Sequence, residues 1–380
     1  MKVTQDTRKI KKGVWFVPVR GENFDGHDFV AEALQKGAAG VLELPELFAQ
    51  ARQKIAELKP TVIAITGSYG KTTTKEALYR ILNSTYSTYR TAGNLNTPLG
   101  IALEIINHLQ PRHRFLIVEM GMDRLGEIKE SCEIAHPQVG VLTNIGEMHL
   151  EKLGTMENIV RAKLELLQSL PVNGVAILNA DDPQVLRVGR TLHKRKIWFG
   201  NSPVDTITKE SLKDLSLPIL GLANQENILA AWAVGLLFGI PKTKMRSALK
   251  RFTAPSGRLR VFTGRNGSQI IDDTYNAGPR SMREALVVLN NFPAQRRIAV
   301  LGDMLELGPL EVKYHREVAG EAAEIADLFV PIGERMTRAV QDTSVPNTDL
   351  KSLRLRRGDV VLIKGSRGMK MERIVANLKR

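Results

Sequence analysis

Thr61–Thr66 is a short apolar run rich in β-branched residues, and it passes directly into Gly67-Ser68-Tyr69-Gly70 and then Lys71-Thr72-Thr73-Thr74. A helix-like stretch follows to Asn83. Strand, glycine turn and helix in that order confine the chain to an α/β fold, because the turn must deliver the strand's carboxyl end to a helix amino terminus whose free N–H groups face an anion. The glycines let loop N–H groups close on phosphate oxygens, Lys71 reaches the β- and γ-phosphates, and the Thr72 hydroxyl can ligate Mg²⁺. Where the common pattern has a glycine five residues before Gly70, this chain has Ile65, so the loop is a shortened variant. The alternative, a glycine turn capped by threonines, needs a chance Gly-Lys-Thr at a strand–helix junction.

The same rhythm continues. Phe115–Met120 precedes Leu125–Ile134, and Gln138–Asn144 precedes Met156–Leu170, each an apolar run followed by a stretch of helical period. Strands apolar on both faces belong to sheets covered on both sides, so βαβ units and a mostly parallel sheet are predicted. Ahead of this block, Val14–Val17 and Val41–Leu44 read as strands around a helix over Asp28–Lys36, a module ending near Pro60. After Arg251, Pro255 and Gly257 break the helical pattern of Lys242–Lys250 like a linker. A second alternation follows, with strands at Gln269–Asp273, Arg297–Leu301, Leu328–Pro331 and Val360–Ile363 and helices from Arg280 and Glu311. The expected architecture is α/β in three domains: a small module over 1–59, a central P-loop parallel-sheet domain over 60–253 and a Rossmann-like domain over 254–380.

Charge bears on the partner. With 54 Lys and Arg against 40 Asp and Glu, the formal charge of +14 suits nucleic acid, an anionic membrane surface or small phosphorylated ligands. Aromatics are only 5% and no helix-turn-helix, RNA-recognition or zinc-finger signature is present, so small acidic ligands are favoured and no nucleic-acid partner is expected. The single cysteine, Cys132, cannot form an internal disulfide and fits a reducing compartment. Met1–Gly13 lacks a signal peptide's apolar segment, and there is no run of ~18 apolar residues. We expect a cytoplasmic monomer with no membrane insertion.

A P-loop alone serves kinases, GTPases, motor ATPases and ligases, so its neighbours have to decide. Glu119 and His149 fall at the carboxyl ends of consecutive predicted parallel strands, the edge where open α/β sheets bind ligands, and both could reach one Mg²⁺. Magnesium prefers oxygen donors, so Thr72, one carboxylate and nucleotide oxygens make a plausible shell, a histidine a less usual one. Taken alone, a strand-end glutamate and a hydrogen-bonded imidazole are the commoner identities. Lys163 on a predicted amphipathic helix would by itself be a solvated lysine pairing with Glu165 or Glu157.

The ordered motifs change those odds. Thr66–Lys75 (TGSYGKTTTK), Gly93–Gly100 (GNLNTPLG) with Asn94 and Asn96, Glu119-Met120-Gly121, Thr143–Leu150 (TNIGEMHL), Ala162–Glu165 (AKLE) and Asn179–Asp182 (NADD) resemble, in order and spacing, the Mur ligase family of ATP-dependent amide-bond ligases. The resemblance implies that Gly67, Ser68, Gly70, Lys71, Thr72, Thr73, Asn94 and Asn96 hold ATP. It also implies that Thr72, Glu119 and His149 serve magnesium, and that Lys163 is carbamylated to ligate a second Mg²⁺. Lys71, Glu119, His149 and Lys163 are its catalytic candidates. Gly221–Ala231 is similar to the stretch that contacts adenine through Asn224 and Asn227, with Ala223 where histidine is usual. Ser256-Gly257-Arg258 and Ile271–Asn276 resemble the segments that bring an arginine and Asp273 to the nucleotide, with Gly278 where a second asparagine is usual.

Asp6-Thr7-Arg8 and Gly21–Phe29, with Asp25 and His27, are similar to elements that hold UDP in muramyl-tripeptide ligases, in a first module shorter than usual between Leu44 and Pro60. Asp273–Asn276, Leu301–Gly308 and Lys364–Met369 look like the branch that adds D-alanyl-D-alanine. Thr7, Arg8, Asp25, His27, Asn276 and Lys364 are then substrate-binding candidates for a UDP-muramyl peptide and D-Ala-D-Ala. Two other readings stay open: a folate-polyglutamate or cyanophycin-type ligase on the same scaffold, and a P-loop regulator or kinase.

Overall fold

The computed structural model describes residues 1–21, 24–201, 206–213, 215, 217 and 220–379; Glu22 and Asn23 of the Gly21–Phe29 element lie outside the described residues. The chain opens with two short parallel strands, β1 (Lys2–Thr4) and β2 (Val14–Phe16), followed by α1 (Val30–Gln35) and α2 (Leu44–Leu58). The expected strand at Val41–Leu44 is not formed. Val41 makes one isolated bridge to Phe16, and Leu44 begins a helix. The reason is local: Glu43 and Glu46 form a reciprocal capping box, Pro45 sits in the first turn, and Leu47, Ala51 and Ile55 fall on one buried face.

The central region carries β3 (Thr61–Thr66), α3 (Lys71–Asn83), β4 (Thr88–Arg90), α4 (Pro98–His108), β5 (Phe115–Glu119), α5 (Glu127–Ala135) and β6 (Val139–Leu142). It continues through α6 (Leu150–Leu153), α7 (Met156–Gln168), β7 (Val175–Asn179), α8 (Pro183–Thr191), β8 (Arg195–Phe199), β9 (Thr206–Ile207), α9 (Leu222–Leu237) and α10 (Lys242–Leu249). The strands form one sheet in the order β4-β5-β3-β6-β7-β8-β9, with every pair parallel. Because the chain leaves β3 towards one side and later adds β6 on the other, the strand order reverses at β3, which opens a crevice at the carboxyl ends of β5, β3 and β6.

Two apolar layers cover this sheet. On one side α3 and α9 pack with Leu78, Ile81, Ile228 and Trp232 fully buried. On the other, α4, α5 and α7 meet Val62, Ala64, Leu116 and Val118, and the same cluster takes in Val3, Val17, Leu47, Ala51 and Ile55 of the first module. Each buried Val, Leu or Ile here contributes ~1.5 to 3 kcal/mol, so the seam between module and sheet is a core and not a loose contact. Asn107 ties it further, accepting from Val3 N at 2.9 Å and donating to Val3 O at 2.9 Å.

The last region contains β10 (Arg260–Thr263), β11 (Gln269–Asp273), α11 (Pro279–Asn291), β12 (Arg296–Gly302), α12 (Glu311–Ile325), β13 (Leu328–Ile332), α13 (Glu334–Val340), β14 (Asp359–Lys364) and α14 (Glu372–Leu378). Its sheet runs β10-β11-β14-β12-β13, parallel except for β10, an antiparallel edge strand. The expected element positions hold here to within about two residues; β10 was not foreseen, its Arg-Val-Phe-Thr alternation being too short to stand out.

Candidate active site

Ile65 pairs with Glu119 and Thr66 with Leu142, so the ends of β3, β5 and β6 are level. The loop leaving β3 needs its glycines for two reasons. Gly67 and Gly70 have φ of +150° and +83°, and a Cβ would fall 1.9 Å from Thr143 Oγ1 and 2.0 Å from Asn227 Oδ1 respectively. The strand end after β6 pins the loop: Asn144 O accepts from Ser68 N at 3.0 Å, Asn144 Oδ1 accepts from Tyr69 N at 2.8 Å, and Thr143 Oγ1 donates to Tyr69 O at 2.6 Å. Ser68 Oγ donates to Gly146 O at 2.9 Å. In the sequence those residues are only an adjacent motif.

Lys71 Nζ donates to Gly67 O at 2.6 Å and more weakly to Ser68 O at 3.4 Å, lying back across its own loop. Burial lowers its pKa to about 8, against the attraction of Glu119 and with the help of Arg258. Thr72 Oγ1 donates to Glu119 Oε2 at 3.0 Å, and Asn96 Nδ2 donates to Glu119 Oε1 at 3.2 Å. Lys75, one turn beyond Lys71, reaches the same carboxylate at 3.1 Å. Burial opposes ionisation of Glu119, but Lys75, Lys71 and the Thr72 hydroxyl outweigh it and hold the carboxyl below its usual range. Hydroxyl and carboxylate together are the hard oxygen donors that Mg²⁺ accepts. Among the described residues no group of three or more His, Cys, Asp and Glu side chains is placed to hold a metal ion.

The other candidates divide. Lys163 on α7 is fully buried; burial and then Lys71 push its amine well below the ordinary lysine value, and no carboxylate offsets them. Glu165 does not pair with it, because its two oxygens accept from Gly126 N at 2.7 Å and Lys129 N at 3.0 Å. His149, at φ +60°, directs Nδ1 towards Glu306 Oε2 at 2.9 Å and Asp123 Oδ1 at 3.4 Å, close ion-pair approaches that lack aligned hydrogen-bond geometry. Asn94 is exposed, its carbonyl accepting from Asn96 N at 2.8 Å.

Between the central sheet and the last region lies a cleft lined by Gly70, Thr73, Asn224, Asn227, Arg258 and Asp273. All six are nucleotide candidates from the motifs. Arg258 lies 4.0 Å from the Tyr275 ring centroid, and its Nε is buried without a hydrogen-bond partner. A buried, unpaired guanidinium nitrogen on an arginine that lines a cleft fits an anionic oxygen. Asn224 Nδ2 donates to Leu220 O at 2.9 Å, and Asn227 Oδ1 accepts from Thr74 Oγ1 at 3.4 Å. Lys364, expected on the substrate, also lines this cleft, with Nζ 2.5 Å from Asp273 Oδ2 and 2.9 Å from Asn276 O. Asn276 Oδ1 accepts from Ala277 N and Arg367 N.

Sequence reasoning missed the cleft's acidic wall. Glu226 and Glu284 both line it and both have raised pKa values, through burial first and, for Glu226, through the nearby Glu284. It missed as well the contacts that seat the last region: Arg280 Nη1 lies 2.7 Å from Asp182 Oδ2, and Gly278 packs so close to Tyr69 that a Cβ would sit 2.5 Å from its hydroxyl. The buried tyrosine explains why glycine stands at 278.

The first-module candidates sit apart. Arg8 turns both ends of its fork on Asp6, with Nε to Oδ1 at 2.8 Å and Nη2 to Oδ2 at 3.0 Å, and is not a free donor pair. Arg8 first by side-chain and then by backbone hydrogen bonding lowers Asp6 to about 2. Asp25 caps His27 N at 3.0 Å and lies 2.9 Å from Arg20 Nε, while His27 bridges Asp25 at 2.5 Å and Glu43 at 3.3 Å. Thr7, Arg8, Phe24 and Phe29 line one shallow concavity.

Loop, buried lysines and two-walled cleft define a P-loop nucleotide-binding protein with a second α/β region over its phosphate end. Residues 65–235 match the Mur ligase middle domain and residues 257–367 the Mur ligase glutamate ligase domain. The chain is 33% identical to the UDP-N-acetylmuramoyl-tripeptide–D-alanyl-D-alanine ligase of Bacillus subtilis (strain 168), over 99% of this chain and 92% of that protein. That alignment spans 423 positions, more than the chain's own length, so the relative carries insertions absent here. Among solved structures it resembles MurF from Acinetobacter baumannii, with TM-score 0.90, 27% identity and coverage of 100% of this chain and 93% of that one. It also resembles MurF ligase from Thermotoga maritima in complex with ADP, with TM-score 0.87, 29% identity and coverage of 99% and 96%. The chain belongs to the Mur ligase family.

Proposed function

We propose that this chain is an ATP-dependent ligase that joins D-alanyl-D-alanine to a UDP-N-acetylmuramoyl-tripeptide, releasing ADP and phosphate. The observation that carries this reading is the cleft that gathers Tyr69 and Gly70 of the glycine loop with Arg258 and Asp273 of the last region, beside a loop that Lys71 lies across, in a protein aligned end to end with relatives of that name. No helix among the described residues is long and apolar enough to cross a membrane. The reading includes a cytoplasmic monomer divided at 59/60 and 253/254, with a first module that holds the UDP end through Thr7, Arg8, Asp25 and His27.

In the reaction, a substrate carboxylate oxygen attacks the γ-phosphorus of ATP, the bond to the β–γ bridging oxygen breaks, and ADP leaves. The D-Ala-D-Ala amine then attacks the acyl carbon, loses a proton and expels inorganic phosphate. Loop N–H groups and the α3 amino terminus hold the phosphates, and Lys71 exchanges the Gly67 and Ser68 carbonyls for phosphate oxygens. Arg258 supplies its unpaired Nε to the same oxygens. The contacts of Gly278 with Tyr69 and of Arg280 with Asp182 seat the last region over the site and keep water from the acyl phosphate. Magnesium, when bound, neutralises developing phosphoryl charge; Thr72, Glu119 and His149 would serve one ion and a carbamylated Lys163 a second. Support for the carbamate is that Lys163 is buried, lacks a carboxylate partner and has a depressed pKa, which leaves its amine free to attack CO₂.

ADP release tests the reading. Sustained release over many turnovers should require both the UDP-muramyl tripeptide and D-Ala-D-Ala, and turnover with folate or simple peptides in their place would overturn it. For Lys163, ¹³C-bicarbonate should give a carbamate resonance that Lys163→Ala lacks; a resonance absent from the parent would remove the second-metal role.

A further inference from the structure

Lys75 is the most deeply buried cation of the site, 1% exposed, beside a glutamate 2% exposed. Its Nζ donates to Gly93 O at 2.7 Å and stands 3.1 Å from Glu119 Oε2. The same carboxylate takes the Thr72 hydroxyl on Oε2 and the Asn96 amide on Oε1, so both oxygens are engaged by protein donors. A buried carboxylate left without a cation is costly, which is why an exposed glutamate with water would have been the simpler metal ligand. Here the charge is already balanced from within. Lys71, on the same first turn of α3 as Thr72, adds positive charge to that end of the site. A bare dication therefore meets a neutralised carboxylate in a positive surround, whereas a polyphosphate meets the loop that attracts it.

We propose that Lys75 is a built-in counter-ion that withholds Glu119 from free divalent cations, so that a metal enters this site only together with the phosphates of the nucleotide. Lys75 is thus a positioning residue: it holds Glu119 aimed before the nucleotide arrives, and through Gly93 it fixes the loop that presents Asn96. The inference rests on the proposed nucleotide site. By linkage, metal and nucleotide then strengthen each other's binding by the same factor.

The test is a Mn²⁺ titration followed by electron paramagnetic resonance, on nucleotide-free protein and again with ADP. Parent protein should show no saturable Mn²⁺ binding without ADP beyond what Glu119→Gln also shows, and Lys75→Arg should behave like the parent. Lys75→Gln keeps a donor for Gly93 O but removes the charge, and should bind Mn²⁺ without nucleotide at least about tenfold more tightly than the parent. Equal affinity in parent and Lys75→Gln overturns the proposal. If Lys75→Gln does not fold, the parent decides: saturable Mn²⁺ binding without nucleotide that is lost in Glu119→Gln overturns the proposal, and Glu119-dependent binding that appears only with ADP supports it. ADP binding, measured alone by calorimetry, reports separately on the nucleotide site.

Discussion

Two regions of this molecule present cations to an expected phosphate, and they do it in opposite ways. At the end of β3, Lys71 and Lys75 are enclosed and already hydrogen-bonded to loop carbonyls, and Arg258 is enclosed with its Nε unpaired. In the first module Arg8 keeps 86% of its side chain exposed and rests on Asp6. Enclosure makes each charge expensive to leave unmatched, so the central cleft gains strongly from a polyanion and tolerates nothing else well. Exposure makes Arg8 cheap to hold and weak in effect, because water and salt screen it. Chemistry on phosphates belongs in the first environment, and recognition of a distant sugar-nucleotide end can use the second.

The largest effect should come from Lys71→Ala. ADP release should fall to background while circular dichroism and melting temperature stay near the parent values, since the side chain lies across its own polar loop and belongs to no apolar core. ADP release at the parental rate would place the phosphate site elsewhere and dissolve the contrast.

Next is a pH dependence confined to the cleft. Lys71 has a pKa of about 8 in the nucleotide-free protein, and phosphate favours its protonated form, so the bound value is higher. Affinity for ADP should therefore be level below about 8 and decline above it by up to about tenfold per pH unit, with proton uptake on binding. Calorimetry in two buffers of different ionisation enthalpy measures that uptake, and a pH-independent affinity between 7 and 9, as rough limits of the titration, would show that Lys71 stays fully charged.

Arg8→Ala should weaken binding of the UDP substrate by about fivefold at most, and less at high salt, with ADP affinity unchanged. A loss of a hundredfold or more would mean that the fork leaves Asp6 on binding and grips its ligand as firmly as the cleft cations do. The smallest effect belongs to Tyr69→Phe. The Tyr69 hydroxyl is buried with no partner, so its removal should leave stability unchanged or raise it by about 1 kcal/mol, read from denaturant midpoints. Destabilisation would reveal a partner for that hydroxyl.

Much of this was legible before any coordinates, because the signals are local. The period of Thr61–Thr66 and Lys71–Asn83, the glycines between them and the order of motifs each act over a few residues, and the observed β3 and α3 have those limits. The helix α2 was equally local, in Glu43, Pro45 and Glu46, but the apolar Val41–Leu44 run that precedes it has no period of its own. What only tertiary structure decided are contacts between distant segments. Lys75 only closed the Thr66–Lys75 motif, with no role of its own, until β5 brought Glu119 to it. Glu165 looked like a partner for Lys163 until the amide groups of Gly126 and Lys129 occupied it, which left the lysine buried and alone. Spacing fixes which face of a helix a side chain leaves from; whether that face meets water, a carboxylate or a closed apolar layer depends on which strand the fold sets beside it.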